Sequence, residues 1–215
     1  MVLLKEKQRN APAFWEQARD DLAKRDPVMR RLVSQFNDSA LYSRGDAFTT
    51  LVRAIIGQQI SVKAATSVWQ KLATAFSNNI TPENLYSIDT AIIRACGLSS
   101  RKISYLQDLS ERFLKDGYDE IVWQKMNDEA LIAHLIQIKG IGRWTAEMFL
   151  IFYMQRPDVL PLADIGLQRA VSIHYNGNQP IEKNRLQTIA TNWRPWRSVA
   201  TWYLWRSLDP IPIDY

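Results

Sequence analysis

His134–Arg169, HLIQIKGIGRWTAEMFLIFYMQRPDVLPLADIGLQR, decides how this chain is read. Apolar residues recur at helical spacing on both sides of Lys139-Gly140-Ile141-Gly142. The stretch therefore predicts a helix, a glycine turn, a second helix, an apolar connection and a third helix opened by Asp164. Glycine has no Cβ, so two of them two residues apart let the chain turn sharply and bring backbone N–H groups close to an outside partner. Those groups, with the positive end of the following helix, suit an anion. Lys139 and Arg143 flank the turn and add charge. The same Gly-Ile-Gly also serves as a plain connection between packed helices, and an Asp before a helix is commonly just its cap.

Around that stretch the composition is that of a folded chain with a basic bias. At 215 residues and 47% hydrophobic content it can build one compact unit or two small lobes sharing a core. The formal net charge of +5 and a pI near 9.3 favour polyanionic partners such as nucleic acid. No apolar run approaches the roughly 20 residues needed to span a bilayer, and Met1–Asn10 lacks the apolar core of a signal peptide. The expectation is an intracellular protein of the cytoplasm or nucleoid, or of the nucleus in a eukaryote. A single cysteine, Cys96, excludes an intramolecular disulfide, a four-cysteine zinc site and a four-cysteine iron–sulfur cluster held by one chain.

Period-3.6 patterning dominates, and no stretch alternates like a strand, so the fold class is all-α with ten to twelve helices. The pattern places them over 12–25, 27–36, 47–56, 62–76, a short one from 82, 90–96, 101–115, 130–137, 143–155, 165–175, 182–193 and 196–208. Asp46, Ser61, Asp89 and Asn127 stand where helix caps belong.

Outside the hairpin, three features could carry chemistry. Eight tryptophans are many for this length, and five of them, Trp144, Trp193, Trp196, Trp202 and Trp205, fall in the last third. Most helical aromatics are core, yet an electron-rich face also suits stacking on a cationic ring. Gln58-Gln59-Ile60 forms an uncharged turn between two helices. Glu147 lies four residues after Arg143, the spacing of an ion pair, while His134 and His174 have no ligand-like spacing and read as structural.

Taken together, four blocks resemble the 3-methyladenine DNA glycosylase II family, the alkylpurine branch of the helix-hairpin-helix (HhH-GPD) DNA glycosylases. Leu51-Val-Arg-Ala-Ile-Ile-Gly-Gln-Gln-Ile-Ser-Val-Lys-Ala-Ala65 is similar to its intercalating segment, and Lys139-Gly-Ile-Gly-Arg-Trp-Thr-Ala146 to its hairpin. Val159–Arg169 is similar to its catalytic segment, and Trp193-Arg-Pro-Trp-Arg-Ser198 to its C-terminal helix. The resemblance implies a short form without the extra N-terminal β-rich domain. It also implies two helical lobes, 45–155 with the hairpin and 1–44 plus 156–215, forming a single glycosylase unit with the active-site cleft between them.

By that resemblance Asp164 is the catalytic carboxylate, and Trp144, Trp205 and Met148 line the base pocket, Met148 where some relatives carry a tyrosine. Gln58, Gln59 and Ile60 form the intercalating turn, with Gln59 at the wedge position. Lys139, Gly140, Ile141, Gly142, Arg143 and Thr145 bind DNA phosphate, helped by a monovalent cation (Na⁺ or K⁺) on the backbone carbonyls of Ile136, Ile138 and Ile141; no other cofactor is required. The implied activity is excision of 3-methyladenine- or 7-methylguanine-type bases from double-stranded DNA in base excision repair, by a monomer. A carboxylate fixed at a helix N-terminus is favoured as the anion that an oxocarbenium-like sugar needs, and an N-alkylated purine leaves with little protonation. Relatives that also cut the strand carry a lysine just after the hairpin, whose amine forms a Schiff base. Here that residue is Trp144, so no lyase activity is expected. Two rival readings are a non-catalytic helix-hairpin-helix DNA-binding module and a glycosylase for deaminated purines.

Overall fold

A computed structural model describes residues 11–38, 40–43, 46–115, 118 and 120–208. Among them are thirteen helices and no strand. They are α1 (Trp15–Arg25), α2 (Pro27–Gln35), α3 (Ala47–Gly57), α4 (Val62–Ala75), α5 (Pro82–Ser87), α6 (Thr90–Ala95) and α7 (Ser100–Lys115). Then follow α8 (Glu120–Lys125), α9 (Asp128–Leu135), α10 (Arg143–Phe152), α11 (Ile165–Tyr175), α12 (Lys183–Thr191) and α13 (Arg197–Leu208). No described helix is long and apolar enough to cross a membrane.

The chain divides into two compact units, one of Met1–Arg44 with Leu150–Asp214 and one built on Gly45–Phe149. The division falls inside α10 and not after residue 155 as the sequence reading put it, because one continuous helix supplies residues to both. In the first unit α1 packs on α2, and α13 packs on α1, α2 and α11. Its core includes Trp15, Leu22, Met29, Leu32, Leu167, Val171, Trp193 and Tyr203, all but closed to solvent. Asp26 fastens three parts of this unit at once. Its Oδ1 caps α2 by accepting the N–H groups of Val28 and Met29, and its Oδ2 accepts the Tyr175 hydroxyl at 2.8 Å and the Trp193 indole N–H at 3.2 Å.

The second unit is built around α7, which packs on α3, α5 and α6. Ile103, Leu106 and Leu109 of α7 bury against a core that includes Leu51, Val52, Ile55, Leu85 and Trp123. Asp46, Ser61, Asp89 and Asn127 do cap α3, α4, α6 and α9 through their side chains. Helix α8 is absent from the sequence reading. Six residues with one buried side chain, Trp123, are too short for a helical period to register. The first helix starts at Trp15 instead of Pro12, since the Trp15 N–H closes a turn on the Pro12 carbonyl. The hairpin's second helix stops at Phe152 and not Gln155, where a residue with φ +51° leaves the helical region.

Candidate active site and nucleic-acid interface

Asp164 is the N-cap of α11 and is 8% exposed. Its Oδ1 accepts two hydrogen bonds, from the Leu167 N–H at 2.6 Å and from the indole N–H of Trp205 at 2.8 Å. The first is the cap bond that any Asp in this position makes; the second comes from α13, 41 residues away, and fixes the carboxylate's rotation. Trp205 is itself held, its ring stacked on Phe152 with centroids 5.7 Å apart and planes within 12°. Trp205 was expected only as a pocket aromatic. The structure gives it a donor's role toward Asp164 and covers one of its faces.

Gly166 makes that arrangement possible. A Cβ there would lie 3.1 Å from Asp164 Oδ1 and 3.3 Å from Trp205 Cδ1 and Nε1, closer than such contacts ordinarily allow. Glycine in the first turn of a helix sacrifices propensity, and that is the one sequence signal that could have singled it out. The connection leading to Asp164 is anchored just as firmly. Arg197 reaches both carboxylate oxygens of Asp158, at 2.6 and 3.0 Å, and Ser198 Oγ donates to the Arg156 carbonyl while accepting the Val159 N–H. The Trp193–Ser198 block thus clamps residues 156–159, and a Ser or Arg in isolation gave no hint of it.

In the second unit the hairpin runs from the end of α9 to the start of α10. Ile138 and Ile141 are buried while Gly140, Gly142, Arg143 and Trp144 are exposed, so the turn is anchored on the core with its tip in solvent. Gly140 has φ +83°, a left-handed conformation that glycine adopts without strain. The first-turn N–H groups of α10 point out of the helix with no carbonyl of their own helix to meet, as at every helix start. Trp144 is 38% exposed, unlike the buried Trp15, Trp123, Trp193 and Trp202. Met148, one turn further along α10, is buried, and so is Thr145.

Two basic residues of the hairpin are less free than the sequence implied. Arg143 donates to Glu129 at 2.9 Å and to Glu147 at 3.0 Å, the second being the expected i,i+4 pair. The hydrogen bonds to Glu129 dominate in pushing its pKa above the ordinary arginine range. Lys139 keeps a side chain 65% exposed, its ammonium 3.4 Å from Asp108. The Lys139 N–H already donates to Asp108 Oδ2 at 2.9 Å. Of the carbonyls expected to hold a cation, that of Ile138 accepts the Ile141 N–H at 3.0 Å, which leaves its second lone pair.

The turn at Gly57–Ser61 also divides. Gln59, in the left-handed region at φ +59°, and Ile60, 40% exposed, face solvent. Gln58, expected among the intercalating residues, instead turns its amide to the hairpin and donates to the Gly140 carbonyl at 2.7 Å.

Residues 52–197 match the family described as HhH-GPD superfamily base excision DNA repair protein. The chain belongs to that superfamily. It is 32% identical over 182 residues to DNA-3-methyladenine glycosylase 1 of Schizosaccharomyces pombe, a match covering 82% of this chain and 79% of the relative. Among solved structures it is similar to the S. pombe 3-methyladenine DNA glycosylase Mag1 in complex with abasic DNA (TM-score 0.76, 30% identity, 92% of this chain and 100% of that one). It is also similar to DNA-3-methyladenine glycosidase from Bacillus halodurans (TM-score 0.75, 31% identity, 86% of this chain and 90% of that one). The HhH-GPD match spans the turn at Gly57–Ser61, the hairpin, Asp164 and the Trp193–Ser198 block up to Arg197, segments that the sequence singled out.

The two histidines and the cysteine of this HhH-GPD chain are engaged within the protein. His134 stacks on Tyr118, and His174 bridges Arg31 and Ser207. Cys96 is buried, and burial pushes its thiol's pKa up, the opposite of what a nucleophilic cysteine needs. Among the described residues no cluster of three or more His, Cys, Asp or Glu could hold a metal ion.

Proposed function

We propose that this protein is a DNA glycosylase of base excision repair that removes alkylated purines from double-stranded DNA, with Asp164 as its catalytic carboxylate. The observation that carries the assignment is the buried carboxylate of Asp164, held by the Leu167 N–H and the Trp205 indole. The kinship with 3-methyladenine glycosylases supports the substrate class.

The chemistry follows from the charges. In an N-alkylated purine the base is already cationic, so when the C1′–N bond breaks the base takes the electron pair and leaves neutral. The sugar is left with oxocarbenium character, and a fixed anion beside it stabilises that charge more than it stabilises the neutral sugar of the ground state. Water adds to C1′ and gives up its proton, and an abasic site and a free base result. Asp164 performs the electrostatic part and can accept the proton.

The remaining roles in this reading fall to the hairpin, the turn and α10. The N–H groups of Gly140 and of Gly142–Thr145, with Lys139, hold a phosphate and fix register without reading sequence, the Ile141 N–H being spent on the Ile138 carbonyl. Carbonyl oxygens suit a hard cation, and a Na⁺ or K⁺ at Ile136, Ile138 and Ile141 would add positive charge beneath that phosphate. Gln59 and Ile60 fill the gap left by the flipped base, and Trp144, with Met148 beneath it, offers the base an aromatic face. Trp144 also stands where strand-cutting relatives need an amine, which supports a type II, purely hydrolytic enzyme acting as a monomer.

The test is release of bases and abasic sites from methylated duplex DNA by the wild type and by Asp164→Asn. The wild type is expected to release alkylpurines, and the variant to keep DNA binding while losing on the order of 10²- to 10³-fold in rate, the usual scale for one electrostatic catalytic group. Full activity in Asp164→Asn would sink the assignment. Binding without release by either protein would establish a non-catalytic DNA-binding module instead.

A further inference from the structure

One helix face in the second unit touches both of the loops that the proposed function assigns to DNA, and the touching groups are polar. Along α7, residues 101, 105, 108 and 112 recur at helical spacing, and Lys102 lies beside them. Lys102 Nζ donates to the carbonyls of Ile56 at 2.6 Å and Gln58 at 2.8 Å, in the last turn of α3 and at its cap. Arg101 stands 3.5 Å from Gln59 Oε1. The Tyr105 ring lies under Gly140 so closely that a Cβ there would sit 2.2 Å from the ring.

Asp108 accepts the Lys139 N–H and the Arg112 guanidinium on the same oxygen. Gln58 closes the circuit by donating across to Gly140. The intercalating turn and the hairpin are thus tied to one face of α7 and to each other.

Resting on the reading that these loops grip a phosphate and enter the base stack, we infer that Lys102 and Gln58 are positioning residues. They hold the Gly57–Ile60 turn at a fixed offset from the hairpin, so that phosphate binding and entry of Gln59 into the stack occur together. The circuit suits a lysine: its ammonium carries three donors, and two of them meet carbonyls at the end of α3, where a cation also suits the helix dipole. Burial, with the charge of Arg101 second, lowers the pKa of Lys102, consistent with an ammonium drawn in from solvent. Gln59 in turn occupies a backbone conformation that a non-glycine residue holds only where its surroundings enforce it.

The experiment uses the full chain and a methylated duplex carrying 2-aminopurine next to the lesion, whose fluorescence reports unstacking. Lys102→Met is expected to raise KM about tenfold and to reduce the unstacking signal, with kcat within about twofold of wild type, the scale of one lost charge-assisted hydrogen bond. Lys102→Arg should recover part of both readouts. Gln58→Leu, at a partly exposed site, should reproduce the KM and fluorescence changes with Tm close to that of the wild type. Wild-type KM and unstacking in both Lys102→Met and Gln58→Leu would overturn the inference while leaving the glycosylase reading intact. A wild type that neither unstacks nor excises would overturn both.

Discussion

Replacing Trp205 with phenylalanine separates two roles for that residue. The substitution keeps an aromatic ring against Phe152, whose centroid lies 5.7 Å from that of the indole, but removes the N–H that meets Asp164 Oδ1 at 2.8 Å. The Leu167 N–H still donates to that oxygen at 2.6 Å. A hydrogen bond to a charged group contributes about 1.5–3 kcal/mol, and at about 1.4 kcal/mol per decade its loss in the transition state lowers the rate roughly 10- to 100-fold. The assay is single-turnover excision from methylated duplex DNA at saturating enzyme, so that weaker binding does not enter. A fall of a few degrees in Tm is expected as well, because a buried carboxylate loses a partner.

Gly166→Ala provides the cross-check. Its Cβ crowds the same two groups, at 3.1 and 3.3 Å, while replacing a helical glycine gains up to about 1 kcal/mol of helix propensity. Excision should therefore slow without loss of Tm. If Trp205→Phe excises at the wild-type rate, Trp205 serves as an aromatic surface and the donor argument is wrong.

Three further outcomes are expected. Gly140→Ala places a residue at φ +83° and drives its Cβ into Tyr105, which should cost about 2 kcal/mol or more and lower Tm by roughly 4–8 °C, together with weaker duplex binding; an unchanged Tm would contradict the packing described. Borohydride added during turnover should trap no covalent enzyme–DNA adduct, since Trp144 supplies no amine, and a trapped adduct on a gel would refute purely hydrolytic action. Burial first, and the Arg31 guanidinium second, push the pKa of His174 below the ordinary value of 6.5. The unfolded chain then takes up a proton near pH 6.5 that the folded chain refuses until lower pH, so this contribution is complete above 6.5 and is lost as pH falls below it. A Tm–pH profile whose slope from 6.5 down toward the carboxylate range is the same in His174→Gln would rule that out.

Which of these effects could be read without coordinates depends on their range along the chain. Helix class, most helix spans and four caps are local properties, set by apolar spacing and by a side-chain oxygen within three residues of the N–H it receives, and the sequence determined them. Gly-Ile-Gly, Asp164 and Trp144 could be singled out as candidates for the same reason, each lying in a short motif whose chemistry is contained in itself. The donor that fixes Asp164 comes from α13, the clamp on residues 156–159 from Arg197 and Ser198, and the brace beneath the hairpin from α7. These partners lie about 30 to 40 residues away, and hydrogen bonds between such distant groups leave no periodicity to detect. Only the tertiary structure could decide that Gln58 turns inward to Gly140 while Gln59 faces solvent. That choice depends on a carbonyl 82 residues away, and nothing in the Gln-Gln pair itself distinguishes the two side chains.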